Sequence, residues 1–127
     1  MQNRTFVELP AEPSAVTLAR EPAGERLAAW HQQEAAFTAE LVVSELVTDA
    51  IRYGPPPIRL RLIRDTALIC EVSDAGSTAP HLRRARLFDE GGRGLLIVAQ
   101  QSPRRGSRHA RTGKTIWAEP PLTPAQH

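Results

Sequence analysis

Apolar and polar residues change period along the chain, and each change marks an element. "RTFVELP" (4–10) reads as a first strand. "SAVTLAREPAGERLAAWHQ" (14–32) reads as a helix with Ser14 as N-cap after Pro13, and Pro22 and Gly24 predict a kink or break within it. "EAAFTAELVVSELVTDAIRY" (34–53) gives the clearest helical period, with Phe37, Leu41, Leu46 and Ala50 recurring on one side. "GPPP" (54–57) stops it. "IRLRLIR" (58–64) then alternates apolar residues with Arg, the pattern of a half-buried strand, and "ALICEVSD" (67–74) follows after a tight turn as its hairpin partner.

Residues 75–92 lose periodicity and carry punctuating Gly and Pro, which predicts a long loop of functional character with at most one helical turn. "RGLLIVAQQ" (93–101) reads as a short helix. "RRGSRHA" and "GKTIWAE" read as a closing hairpin turning near residues 111–113, and "PPLTPAQH" (120–127) as a disordered tail. The order β, α, α, β, β, loop, α, β, β predicts an α+β fold. Its form is a two-layer α/β sandwich with a mixed, mostly antiparallel sheet and helices on one face.

At 127 residues the chain is one domain, with residues 1–119 as its body. No apolar run approaches the roughly 18 residues of a membrane span, and the start lacks a signal-peptide core. The one cysteine, Cys70, cannot form an internal disulfide. Together these features predict a cytoplasmic protein without a membrane partner.

The net charge of +2 hides an asymmetry. Residues 1–76 hold seven Arg against eleven acids, whereas residues 77–115 hold eight Arg and Lys114 against Asp89 and Glu90. A basic half suits nucleic acid or the phosphates of a small ligand, but for most of these Arg residues a solvated surface is the better reading. The few aromatics do not alternate with Arg, which argues against direct nucleic-acid binding.

Three stretches carry candidate chemistry. In "SELVTDAIRYG" (44–54), Glu45 and Asp49 stand one turn apart on one helix face. Like charges at that spacing destabilise a helix by about 0.2–0.5 kcal/mol. The pair is either a solvated acidic stripe or a hard-cation site, where magnesium takes one or two oxygens plus waters and phosphates. In "SDAGS", Asp74 and Gly76 make either an ordinary turn or a flat-ligand contact. There Gly76 admits the ligand and Asp74 accepts a hydrogen bond from it. In "EGGRGLL", glycines at a helix start are either a linker or a phosphate cradle, and Arg93 among them favours phosphate.

"GKT" (113–115) is not a P-loop: Arg108 stands where the first glycine of that motif belongs, and a strand follows rather than a helix. The histidines at 31, 81, 109 and 127 show no metal-ligand spacing.

Taken in order, "AELVVSELVTDAIRYG", "VSDAGSTAP", "GGRGLLIVA" and "GKTIWAE" resemble the ATP-binding (Bergerat) domain of the GHKL superfamily. Within it they are most similar to bacterial anti-sigma-factor serine/threonine kinases and the ATPase domains attached to regulatory phosphatases. The resemblance covers residues 4–119.

It implies that ATP and Mg2+ are the cofactors, with Glu45 as general base and Asp49 as the magnesium ligand. Asp74 would accept from the adenine amino group, Gly76 would give the base room, and Thr115 would support that contact. Residues 77–92 would form the ATP lid, and Gly92, Arg93, Gly94 and Leu95 would cradle phosphates. The implied partners are an anti-anti-sigma (STAS-type) protein as substrate and a sigma factor, with a possible homodimer.

Two positions depart from the family pattern. Asp49 replaces the usual Asn, and Arg105 stands where relatives often carry Trp before the glycine. The expected activity is protein serine/threonine kinase. The alternative is a non-catalytic, nucleotide-gated module that sequesters a regulatory partner. A histidine autokinase is disfavoured, because the only histidine on a helix ahead of the domain, His31, has no acidic residue after it.

Overall fold

The computed structural model describes residues 3–76, 98 and 100–122. Strand β1 (Arg4–Leu9) leads into helix α1 (Ala15–Ala29), a single 3-10 turn (Gln33–Ala35) and helix α2 (Ala36–Tyr53). Strands β2 (Ile58–Arg64) and β3 (Leu68–Asp74) form the first hairpin, and β4 (Arg104–Ala110) and β5 (Gly113–Glu119) the second. The sheet order is β1-β2-β3-β5-β4, antiparallel at every pairing. The lid stretch 77–92 and the glycines of "EGGRGLL" lie outside the described residues.

Register explains the two layers. Leu60 pairs with Val72 and Val72 with Ile116, while Leu62 pairs with Cys70 and Cys70 with Ala118. These rows are buried, and α2 covers them with Val42, Val43, Leu46, Val47 and Ala50. Each large aliphatic side chain so buried contributes about 1.5–3 kcal/mol. The core-facing stripe of α2 runs through Ala39, Val42 and Leu46 rather than through Phe37, which is 79% exposed. Phe37 sits two residues before Ala39, about 200° round the helix, and so points away from the buried stripe.

The expected break in the first helix does not occur: α1 is continuous through Pro22. Its buried face is built from Ala15, Ala19, Ala23 and Leu27. Small residues let it lie close to α2, and a Cβ on Gly24 would come 3.2 Å from the Glu40 carboxylate. Packing along that seam offsets the missing Pro22 donor.

The helix also ends earlier than expected, at Ala29. Gln32 N–H donates to Leu27 O (2.7 Å) and His31 N–H to Ala28 O (3.1 Å), a Schellman cap. His31 takes its left-handed position at φ 58° and is therefore a cap residue, not a helical one. Beyond β5, Pro120 is buried and Leu122 packs against the core, so the start of the expected tail belongs to the fold. Residues 123–127 lie outside the described residues.

Burial pushes the Cys70 thiol up to about 12. Only the thiolate reacts readily, so thiol reagents are expected to modify Cys70 at the rate of domain opening. The unfolded thiol ionises near 9.0 and the folded one near 12, so stability falls as pH rises through that window. Labelling kinetics at pH 8 with and without urea check the first expectation. Labelling as fast in native buffer as in urea would contradict it.

Candidate nucleotide site

The site is assembled where α2 ends against β3. Gly54 caps α2, its N–H donating to Ala50 O at 2.8 Å. A Cβ on Gly54 would collide with the Asp74 carboxylate, so the side chain of Asp74 packs directly on the helix end. Ala75 N–H donates to Pro55 O at 3.0 Å, and Gly76 N–H to Asp74 Oδ1 at 2.7 Å. A Cβ on Gly76 would come 2.8 Å from Asp74 Oδ1 and 3.2 Å from Pro55 Cδ. The space opened by this glycine is thus used by the chain's own Asp74 and Pro55. "GPPP" and "SDAG", a stop signal and a separate motif by sequence, form one folded unit.

Asp49 and Glu45 run back along α2 from this point. At ~1.5 Å rise per residue, Asp49 lies roughly 7.5 Å and Glu45 roughly 13 Å along the axis from Gly54. Asp49 is buried on the edge of the core-facing stripe, and Glu45 is half-buried beside it. Asp74 therefore stands at the helix end, with Asp49 and then Glu45 set back from it along α2, and Asp74 lies at the negative pole of the α2 dipole. That arrangement favours a cation or a hydrogen-bond donor. No cluster of three or more His, Cys, Asp or Glu able to hold a metal exists among the described residues. A hard cation here would take the oxygens of Asp49 and complete its shell from phosphates and water, the usual mode of magnesium.

Two residues change roles. Lys114, passed over with the rejected P-loop, places Nζ 3.2 Å from Asp74 Oδ2, with the two side chains 3% and 1% exposed. The alternation of Lys114, Ile116 and Ala118 along β5 was the signal that could have found it, since all three are buried. Thr115, expected to support the Asp74 contact, points to the other face. It pairs with Ser73 and Arg108, while Asp74 pairs with Lys114. A one-residue step along a strand reverses the face, and here it separates Thr115 from the site. Gly92, Arg93, Gly94 and Leu95 lie outside the described residues.

At the second departure from the family pattern, Arg105 donates to Ser102 O at 3.2 Å. The neighbouring Gly106 lies under Trp117, whose ring a Cβ there would approach to 2.9 Å.

A helix-backed antiparallel sheet with a carboxylate at a strand end and two more along the facing helix has the build of an ATPase nucleotide-binding domain. A family model described as a histidine kinase-like ATPase domain matches residues 9–119, and the chain belongs to that family. Membership implies ATP binding.

Among solved structures, the RsbU and RsbW domains of Rv1364c from Mycobacterium tuberculosis match with a TM-score of 0.72. The identity is 16%, over 98% of this chain and 34% of that one. The likeness is one of fold, and this chain spans about a third of that chain's length. No curated protein matches the chain. No described helix is long and apolar enough to cross a membrane.

Proposed function

We propose that this domain is an ATP-dependent protein serine/threonine kinase of the anti-sigma-factor type. Its substrate would be a STAS-type anti-anti-sigma protein, and its second partner a sigma factor. The observation that supports this most is the order of three carboxylates, Asp74 at the end of α2 and then Asp49 and Glu45 back along it, which suits an adenine at one end and a reacting phosphoryl group at the other.

Asp74 accepts from the adenine amino group, and Lys114 beside it takes the supporting place first given to Thr115. Asp49 offers oxygen to magnesium, which when bound neutralises phosphate charge. Glu45 takes the proton of the attacking hydroxyl. Gly92 to Leu95 cradle the phosphates. Phosphoryl transfer needs little more than such positioning and charge neutralisation. Incubation with γ-labelled ATP and candidate STAS proteins tests the reading. Label on a Ser or Thr supports it, and ATP binding without transfer to any of them overturns the kinase assignment.

The Asp74–Lys114 ion pair favours one further reading, a nucleotide-gated binding module. An adenine that shares Asp74 with an internal cation alters the joint between β3 and β5, so occupancy is felt by the sheet without any transfer.

Asp49 in place of Asn adds negative charge near the phosphates. ATP affinity is therefore expected to depend strongly on magnesium, and Asp49→Asn to bind ATP better in chelator and gain less from the metal. Calorimetric titration of both proteins with and without magnesium measures this. Identical behaviour would place Asp49 outside the phosphate site.

A further inference from the structure

The sheet has a second face, turned away from the helices, and its side chains form ordered rows. One row crosses all five strands: Glu8, Arg59, Ser73, Thr115 and Arg108 are successive cross-strand partners. The next is Phe6, Arg61, Glu71, Trp117 and Gly106. Two hydroxyls thus stand side by side at the centre of the first row, with one arginine on each flank.

Arg59, Ser73, Thr115 and Arg108 line a recess of about 170 Å³ that neither Asp74 nor Lys114 lines. A second recess of about 470 Å³, towards the strand ends, is shared by these four residues with Asp74 and Lys114. We infer that this row is a binding site for a phosphate group, either inorganic phosphate or a phosphate monoester. The site lies on the opposite face of the sheet from Asp74 and Lys114, and the inference does not depend on kinase activity.

Charge and geometry support it together. Arg59 pairs only loosely with Glu8, at 3.5 Å between side chains 48% and 66% exposed. Glu71, 10% exposed, is engaged by two guanidiniums: Arg61 Nε donates to Oε1 at 2.7 Å and Arg108 to Oε2 at 3.0 Å. Glu71 therefore holds Arg61 and Arg108 in place with both its oxygens already occupied, and three Arg face two Glu across the two rows. The Arg108 side chain is still 54% exposed, leaving the rest of its donor fork open to a ligand.

Adjacent strands lie about 4.7–4.9 Å apart. That spacing sets the guanidiniums on either side of the hydroxyl pair, and each can lean inward. A tetrahedral oxyanion has oxygens to meet the floor and both flanks at once. A carboxylate has two oxygens in one plane, which a single arginine fork satisfies.

The test is an NMR titration of the 15N-labelled chain at constant low ionic strength. The probes are inorganic phosphate, a phosphoserine peptide and the same peptide unphosphorylated. Saturable shifts at Ser73 and Thr115 and at the Arg59 and Arg108 Nε signals are expected with phosphate, and none with the unphosphorylated peptide. Tighter binding of the phosphopeptide marks a protein-borne phosphate, and equal binding marks free phosphate.

Arg59→Gln and Arg108→Gln are each expected to weaken binding roughly tenfold, the loss of one charge-assisted contact. Arg104→Gln, two rows away on the same face, should leave it unchanged. Arg59→Gln carries the decision, because its exposed side chain can change without loosening Glu71. No saturable shift, or equal weakening by Arg104→Gln and Arg59→Gln, would overturn the site.

Discussion

Asp74→Ala is expected to remove a large share of the domain's stability rather than merely empty a base pocket. The Asp74 carboxylate meets Lys114 Nζ at 3.2 Å with both side chains buried. It also accepts the Gly76 amide and packs on Gly54. Breaking a buried pair by removing one partner costs about 3–5 kcal/mol, against a typical total stability of about 5–15 kcal/mol.

Replacing both charges by neutral groups of similar shape is often close to neutral. Asp74→Asn with Lys114→Met is therefore expected to recover most of the stability while still losing adenine affinity. Urea denaturation of the two variants, followed by ATP titration of the folded one, separates fold from binding. A single Asp74→Ala variant as stable as the wild type would show that the pair does not hold the sheet. A double variant that binds ATP normally would remove Asp74 from base recognition.

Glu45→Gln is the converse case, with little effect on fold and a large one on chemistry. Glu45 is half-buried on α2 and an amide keeps its shape, so stability should change by no more than about 0.5 kcal/mol. ATP affinity should persist, because the proposed adenine and magnesium contacts belong to Asp74 and Asp49, not to Glu45. Phosphoryl transfer should fall by roughly 10²–10⁴-fold, the usual contribution of a general base. Single-turnover transfer rates and calorimetry on the same preparations read the two effects separately. Undiminished transfer would make Glu45 structural and leave the gated binding module as the better account.

Much of this was legible in the sequence because it is local. The alternation in "IRLRLIR" and the helical period of residues 34–53 predict their elements, since backbone hydrogen bonding and side-chain direction are settled within a few residues. The site motifs were legible as motifs for the same reason: Glu45 and Asp49 share a face by helix spacing alone. Where the reading failed, a distant surface had overridden a local rule. Pro22 and Gly24 are breakers by propensity, yet α1 passes through them because an Ala-lined face lies close on α2. Phe37 shares a helical repeat with Leu41, yet the stripe that packing buries runs through Ala39, Val42 and Leu46, and Phe37 faces solvent.

The amino-acid order by itself determined the elements, the family and the candidate carboxylates. Tertiary structure alone decided which groups meet. That β5 rather than β4 lies beside β3 brings Lys114 to Asp74 and turns Thr115 to the opposite face with Ser73. The same register sets Arg59 and Arg108 on either side of two hydroxyls. Sheet order and register are contacts between residues 40 or more positions apart for Asp74 and Lys114. No local period encodes them, and the burial of the whole inner face is what selects them.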